Sequence, residues 1–168
     1  MLVDALKMLL FPAAMALAAS SDLLTMTISN RLTLALACGF AALAVAAGLS
    51  LHEIGMHLAA GGIVLLAGFG CFAMGWIGGG DAKLAAATAL WFGFEHLMNY
   101  LVYASLFGGA LTLLLIQFRA LPLPAILARQ PWIMRLHEKG AGVPYGIALA
   151  AAALVIYPDT GWMTRLAT

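Results

Sequence analysis

Apolar residues run along this chain in long unbroken blocks, separated by short polar patches rather than alternating with them. A bilayer core asks for about 20 consecutive apolar residues from a spanning helix. The pattern marks segments near 5–19, 33–50, 58–77, 82–92, 97–118 and 143–157. The fourth is too short to face lipid along its length, so it is expected to be a half-span or to be shielded by its neighbours. The blocks are continuous and rich in Ala and Leu, which favours helices over the alternating strands of a barrel. Small residues recur inside them at Gly61, Gly62, Gly68, Gly70, Gly108 and Gly109. In lipid such residues let helix backbones approach closely, so they are expected to pack. The predicted fold is all-α: a polytopic membrane helical bundle with about six transmembrane segments, the fourth short. Residues 1–168 form a single membrane-embedded domain.

Composition sharpens this. The chain is 64% hydrophobic and only 9% charged, far from the quarter charged residues of a soluble domain. A net charge of +1 gives no footprint for nucleic acid, so the expected partner surface is the lipid bilayer. The two cysteines, Cys38 and Cys71, sit in apolar runs without metal-ligand spacing and are read as small core residues. The first segment, with Lys7 and the run Ala16-Leu17-Ala18, imitates a secretory leader. Asp4 offsets the early positive charge, and the segment is expected to be a retained helix.

Basic residues set the expected orientation. Alternating the segments puts Arg31, Lys83, Arg119, Arg129, Arg135 and Lys139 on one side, with Lys7 and Arg165 on the other. The first side is expected to be cytoplasmic, both termini outside, and the connections holding Asp22 and Asp81 both cytoplasmic. The stretch from 119 to 142, with Pro122, Pro124, Pro131 and Trp132-Ile133-Met134, reads as a connector lying along the head groups.

Acidic residues are few: Asp4, Asp22, Glu53, Asp81, Glu95, Glu138 and Asp159. Charges beside a span are costly and invite a functional hypothesis. Asp4 and Asp159 lie near chain ends, Glu53 and Glu95 fall in short outer loops, and Glu138 adjoins Lys139. Asp22 closes the first segment in SSDLLTMTISN, and Asp81 follows three glycines in IGGGDAK. An N-cap would explain an aspartate at a helix start, but not the glycines before it. Two carboxylates held together share one proton and titrate as a pair. Such a pair can activate water and protonate a carbonyl without metal, serine or cysteine, so no cofactor or metal is expected. His52, His57 and His96 fall on the opposite face, and His137 lies in the long connector. Lys83 is expected to snorkel toward the head groups.

These residues resemble a family. Gly78-Gly79-Gly80-Asp81 matches the G-x-G-D signature of membrane aspartyl proteases, and Asp22 followed by Ile28 and Asn30 resembles the first-aspartate motif of type IV prepilin peptidases. The stretches GGGDAKLAAATALWFG and GVPYGIALAAAAL look like the short CpaA/TadV-type members that serve tight-adherence (Flp) pili. The resemblance implies an aspartic-type endopeptidase of the bacterial inner membrane. It would remove the short basic leader of a prepilin or pseudopilin at the cytoplasmic face, just after a glycine. Asp22 and Asp81 would be the catalytic pair. Gly78 and Gly80 would shape the turn presenting Asp81, and Asn30 and Lys83 would support the two motifs. Many members carry Pro where this chain has Ser29, so its first-aspartate loop is expected to be less rigid. The paired CxxC motifs of larger, methylating members are missing, which implies peptidase activity without methyltransferase activity. Two other readings compete: a small proton or cation transporter using Asp22 and Asp81 as an ion site, and a non-catalytic scaffold with capping aspartates.

Overall fold

The computed structural model describes residues 2–164 and is all-helical over that range. Its helices are α1 (Leu2–Thr25), α2 (Asn30–Ala46), α3 (Leu51–Ala73), α4 (Gly79–Ala120), α5 (Pro131–His137), α6 (Tyr145–Ile156) and α7 (Gly161–Thr164). Among the described residues, α1, α3 and α4 are long and apolar enough to cross a membrane, and α2 and α6 are shorter apolar helices. The side chain of Arg165, used in the orientation reading, lies outside the described residues.

Several limits differ from the apolar blocks because polar side chains continue or start the helices. α1 runs past residue 19 to Thr25. The Ser20 hydroxyl donates to the Ala16 carbonyl at 2.8 Å and Thr25 to Ser21 at 2.7 Å, so these residues satisfy themselves within the helix. Asp22 therefore sits on a helix rather than in a loop. α3 begins at Leu51 because Ser50 and Glu53 form a reciprocal capping box. Glu53 is thus in a first helical turn, not an outer loop. α2 and α3 both end in Schellman motifs, at Gly48 (φ +71°) and Gly75 (φ +74°).

The expected fourth and fifth segments are the two halves of α4, separate helices that meet at a single residue with no loop between them. Gly93 has φ +60° and ψ −171°, a conformation essentially confined to glycine. Glu95 consequently lies on the second half of α4 instead of in a loop. The chain reverses there: Tyr100 packs beside Thr88, which a straight helix would hold about 18 Å away along its axis. The Tyr100 ring also meets Phe92 edge-on at 5.3 Å. Breaking the helix strands the last carbonyls of its first half, and other elements supply donors. The indole of Trp162 donates to the Trp91 carbonyl at 2.7 Å, and His57 Nδ1 lies 2.8 Å from the Leu90 carbonyl. α7, absent from the hydrophobic pattern, exists to bring Trp162 into this cluster.

α3 lies antiparallel to the first half of α4 along a seam of small residues. A Cβ at Gly61 would stand 3.2 Å from Leu90 Cβ, and one at Gly68 would stand 3.1 Å from Ala82 Cβ. Gly108 presses on the Tyr145 ring of α6 in the same way. Gly62, Gly70 and Gly109, by contrast, face open space, so half of the expected packing glycines do not pack. Cys38 is likewise exposed on the bundle surface, because α2 buries the face carrying Leu36, Phe40, Leu43 and Ala44. Cys71 is half-buried.

The core is aromatic at the end away from the aspartates. Phe11 stacks on Tyr157 at 4.4 Å and tilts against Trp91 at 5.1 Å. Pro12 removes a helical N–H in α1, and the Tyr157 hydroxyl donates to the neighbouring Lys7 carbonyl at 2.6 Å. The connector after α4 folds back on the bundle instead of simply lying along its surface. Arg119 donates to the carbonyls of Leu136 and Gly142, each at 2.8 Å, and Arg135 donates to the Leu24 carbonyl at 2.7 Å.

Candidate active site

α1, α4 and α6 converge where their ends carry Asp22, Asp81 and Gly146. Asp22, in the last turn of α1, is 4% exposed, one of very few buried charged side chains among the described residues. Its Oδ2 accepts the Gly146 N–H at 2.7 Å. Gly146 is in the first turn of α6, where backbone N–H groups lack helical partners and the helix dipole is positive. The carboxylate thus caps a helix distant in sequence. It stands near the negative end of its own helix, and α6 offsets that unfavourable placement.

Asp81 lies in the first turn of α4, two residues after the helix starts. The N-cap itself is Gly78, so Asp81 is not the N-cap that its sequence position suggested. Its carboxylate folds back over the Gly78 backbone: a Cβ at Gly78 would sit 2.8 Å from Asp81 Oδ2. The absence of a side chain there leaves that oxygen its place.

Ile28 joins the two acidic residues into one corner. It is buried, and its Cβ would lie 3.2 Å from a Cβ placed on Gly80. Its Cδ1 would lie 2.8 Å from one placed on Gly146. A single side chain therefore wedges between the turn presenting Asp81 and the backbone that holds Asp22. The two carboxylates are near enough for their charges to interact. A second tie runs across the surface: Lys83 Nζ donates to Asn30 Oδ1 at 2.9 Å, linking the starts of α2 and α4. Lys83 is exposed, but its ammonium is held by that amide instead of simply extending to head groups.

The first-aspartate loop is braced despite Ser29 in place of proline. Ser29 is the N-cap of α2 and accepts the Arg31 N–H at 3.2 Å. The Ser21 hydroxyl donates to the Thr27 carbonyl at 2.8 Å, and the Thr25 and Thr27 hydroxyls are 2.7 Å apart. Met26 takes the left-handed conformation (φ +55°) that turns the chain out of α1.

The family model of the type IV leader peptidases matches residues 9–113, well over half of the chain. The chain belongs to the type IV leader peptidase family. No curated protein and no solved structure matches it. As a type IV leader peptidase it is a membrane-embedded peptidase whose substrate is protein. The matched region contains Asp22, Ile28, Asn30, Gly78, Gly80, Asp81 and Lys83, and ends before Gly146. Sequence reasoning quoted the stretch around Gly146 but gave that residue no role. Its signal was a glycine just after Pro144, opening an otherwise alanine-rich helix.

Proposed function

We propose that this leader peptidase is an aspartic-type endopeptidase in which Asp22 and Asp81 are the catalytic pair. The observation that carries the reading is the shared corner. Ile28 touches both the Gly80 turn beside Asp81 and the Gly146 backbone that holds Asp22. Two carboxylates in one poorly solvated corner keep a single proton between them. The ionised member takes a proton from water as the water oxygen bonds to the scissile carbonyl carbon. The protonated member gives its proton to the developing oxyanion. Collapse of the tetrahedral intermediate breaks the C–N bond: the carboxyl that took water's proton passes it to the amine nitrogen, and the other carboxylate takes the proton of the collapsing hydroxyl, restoring the shared-proton pair.

The substrate we infer is a prepilin or pseudopilin: a short basic leader followed by an apolar helix. Cleavage would fall after a glycine, at the cytoplasmic face of the bacterial inner membrane. Arg31 and Lys83 are among the basic residues that alternation of the segments assigns to that face. The chain would act without methylating the new amine. The transporter reading has less support. It needs a polar path through the bundle, and fully buried Phe11, Met15, Leu36, Leu84 and Trp91 fill the layer above the aspartates. The scaffold reading has to explain why both acidic side chains are drawn to one corner.

Incubation of the detergent-purified chain with a prepilin-type substrate, followed by mass spectrometry of the products, tests the proposal. A single cut after a glycine at the end of the basic leader, leaving an unmethylated amine, is expected. An intact substrate, or cuts scattered through the apolar helix, would overturn it.

A further inference from the structure

Behind the acids, the same helix faces carry a second set of polar atoms. Met15 precedes Asp22 by seven residues on α1, and Thr88 follows Asp81 by seven on α4. Seven residues return a helix nearly to the same face, about 10 Å further along its axis. The two helices meet there as well, with the Thr88 hydroxyl 3.9 Å from the Met15 sulfur. Tyr100 reaches the same layer from the second half of α4, near enough to Asp81 for their charges to interact.

Met15, Thr88 and Tyr100 are all fully buried, and their polar atoms serve one another poorly. Elsewhere on α4, Ser105 and Thr112 donate to the carbonyls four residues back, at 2.7 and 2.8 Å. A hydroxyl in an apolar helix can satisfy itself in this way. Thr88 instead turns from its own helix toward a thioether, which is a weak acceptor. The Tyr100 hydroxyl lies beside Thr88 without the alignment of a full hydrogen bond. It is the one buried side-chain oxygen or nitrogen among the described residues with no such partner. Two hydroxyls bring two donors and four acceptor sites, and a direct contact between them uses only one of each. Leaving the rest dry is costly, and a water with two polar partners relieves it.

We propose that Thr88 and Tyr100 bind a single internal water molecule, beside the Met15 sulfur. The site is a polar step inside an otherwise apolar core, on the helix faces that carry the acids. Tyr157 gives the contrast: it is as buried as Tyr100, but its hydroxyl donates to the Lys7 carbonyl at 2.6 Å and needs no water. The inference rests on the packing of α1 against the two halves of α4 and stands independently of the peptidase reading.

X-ray radiolysis of the detergent-purified full chain, followed by mass spectrometry, tests it. Ionising a bound water releases a hydroxyl radical in place, and the side chains that touch it gain oxygen. Tyr100 and Met15 are expected to gain oxygen although buried, Tyr100 severalfold more than Tyr157. Thr88→Val and Tyr100→Phe should each cut the Met15 labelling severalfold, since either leaves the water a single hydroxyl. Tyr100→Phe should also lower the midpoint of thermal unfolding. A dry hydroxyl would be costly to bury, so its removal would raise that midpoint instead. Labelling of Tyr100 no greater than that of Tyr157, unchanged Met15 labelling in a folded Thr88→Val, or an unchanged or raised midpoint in Tyr100→Phe overturns the site. If neither variant folds, the labelling of Tyr100 against Tyr157 in the parent decides it.

Discussion

At the scale of single residues, the site depends on places where a side chain is missing. Gly146 gives its N–H to Asp22 and leaves no room for a Cβ, which would lie 2.8 Å from Asp22 Oδ2 and from Ile28 Cδ1. Gly146→Ala should push the carboxylate out of place, and small misplacements of reacting groups cost about 10²-fold in rate. Leader-cleavage kinetics of a folded Gly146→Ala protein check this; an unchanged kcat/KM would contradict it. The Asn30–Lys83 bond is exposed, so its energetic value is small, but it sets the spacing of two helix starts. A double-mutant cycle with Asn30→Ala and Lys83→Ala should give a stability coupling of about 0.5–1 kcal/mol. Detergent-phase unfolding of the two single variants and the double variant measures it.

The legibility of these residues was uneven, for a physical reason. Asp22 and Asp81 stood out because a charge beside an apolar run is costly and therefore conspicuous. Gly146 did not, because its function is a backbone N–H and an absent side chain, and its partner is distant along the chain. Ile28 was singled out only as part of the stretch that resembles the first-aspartate motif, with no role of its own. Its importance comes from being wedged between two glycines that pattern alone cannot bring together.

At the scale of elements, hydropathy located the helices but not their ends. Serine and threonine look like loop residues, yet Ser20 and Thr25 carry α1 onward by bonding to carbonyls within the same helix. The reversal at Gly93 was legible as the break between the segments at 82–92 and 97–118, but its tightness was not, since one glycine turns the chain where a short loop was expected. Gly93→Ala would place a side chain in a conformation reserved for glycine and bring its Cβ within 3.0 Å of the His57 ring. A loss of about 2–3 kcal/mol is expected, read as a lowered midpoint of unfolding. The long connector is tied to the rest mainly by arginine. Arg135→Ala should remove the bond to the Leu24 carbonyl and speed proteolytic nicking between 121 and 144, with little change in bundle stability. Limited proteolysis beside thermal unfolding separates the two effects.

At the scale of the whole molecule, the two ends of the bundle carry different chemistry. One end draws three helices together around a pair of acids. The other holds Lys7, imidazoles and glutamates around a cavity, with a packed aromatic layer between them. The sequence placed His52, His57 and His96 away from the aspartates through the alternation of segments. It could not reveal the cavity, which depends on α7 bringing Trp162 onto the Trp91 carbonyl. The overall arrangement as an all-α membrane bundle was legible because so apolar a chain has few other ways to satisfy its backbone.

The central claim is that Asp22 and Asp81 act as one catalytic unit. The most direct measurement is leader cleavage by the parent protein beside Asp22→Asn, Asp81→Asn and the double variant, each shown to be inserted and folded. Each single change is predicted to lower the rate by roughly 10³-fold or more, and the double change to cost little beyond either one, as for residues that work as a unit. Near-normal cleavage by either single variant, or losses that simply multiply in the double, would contradict the account.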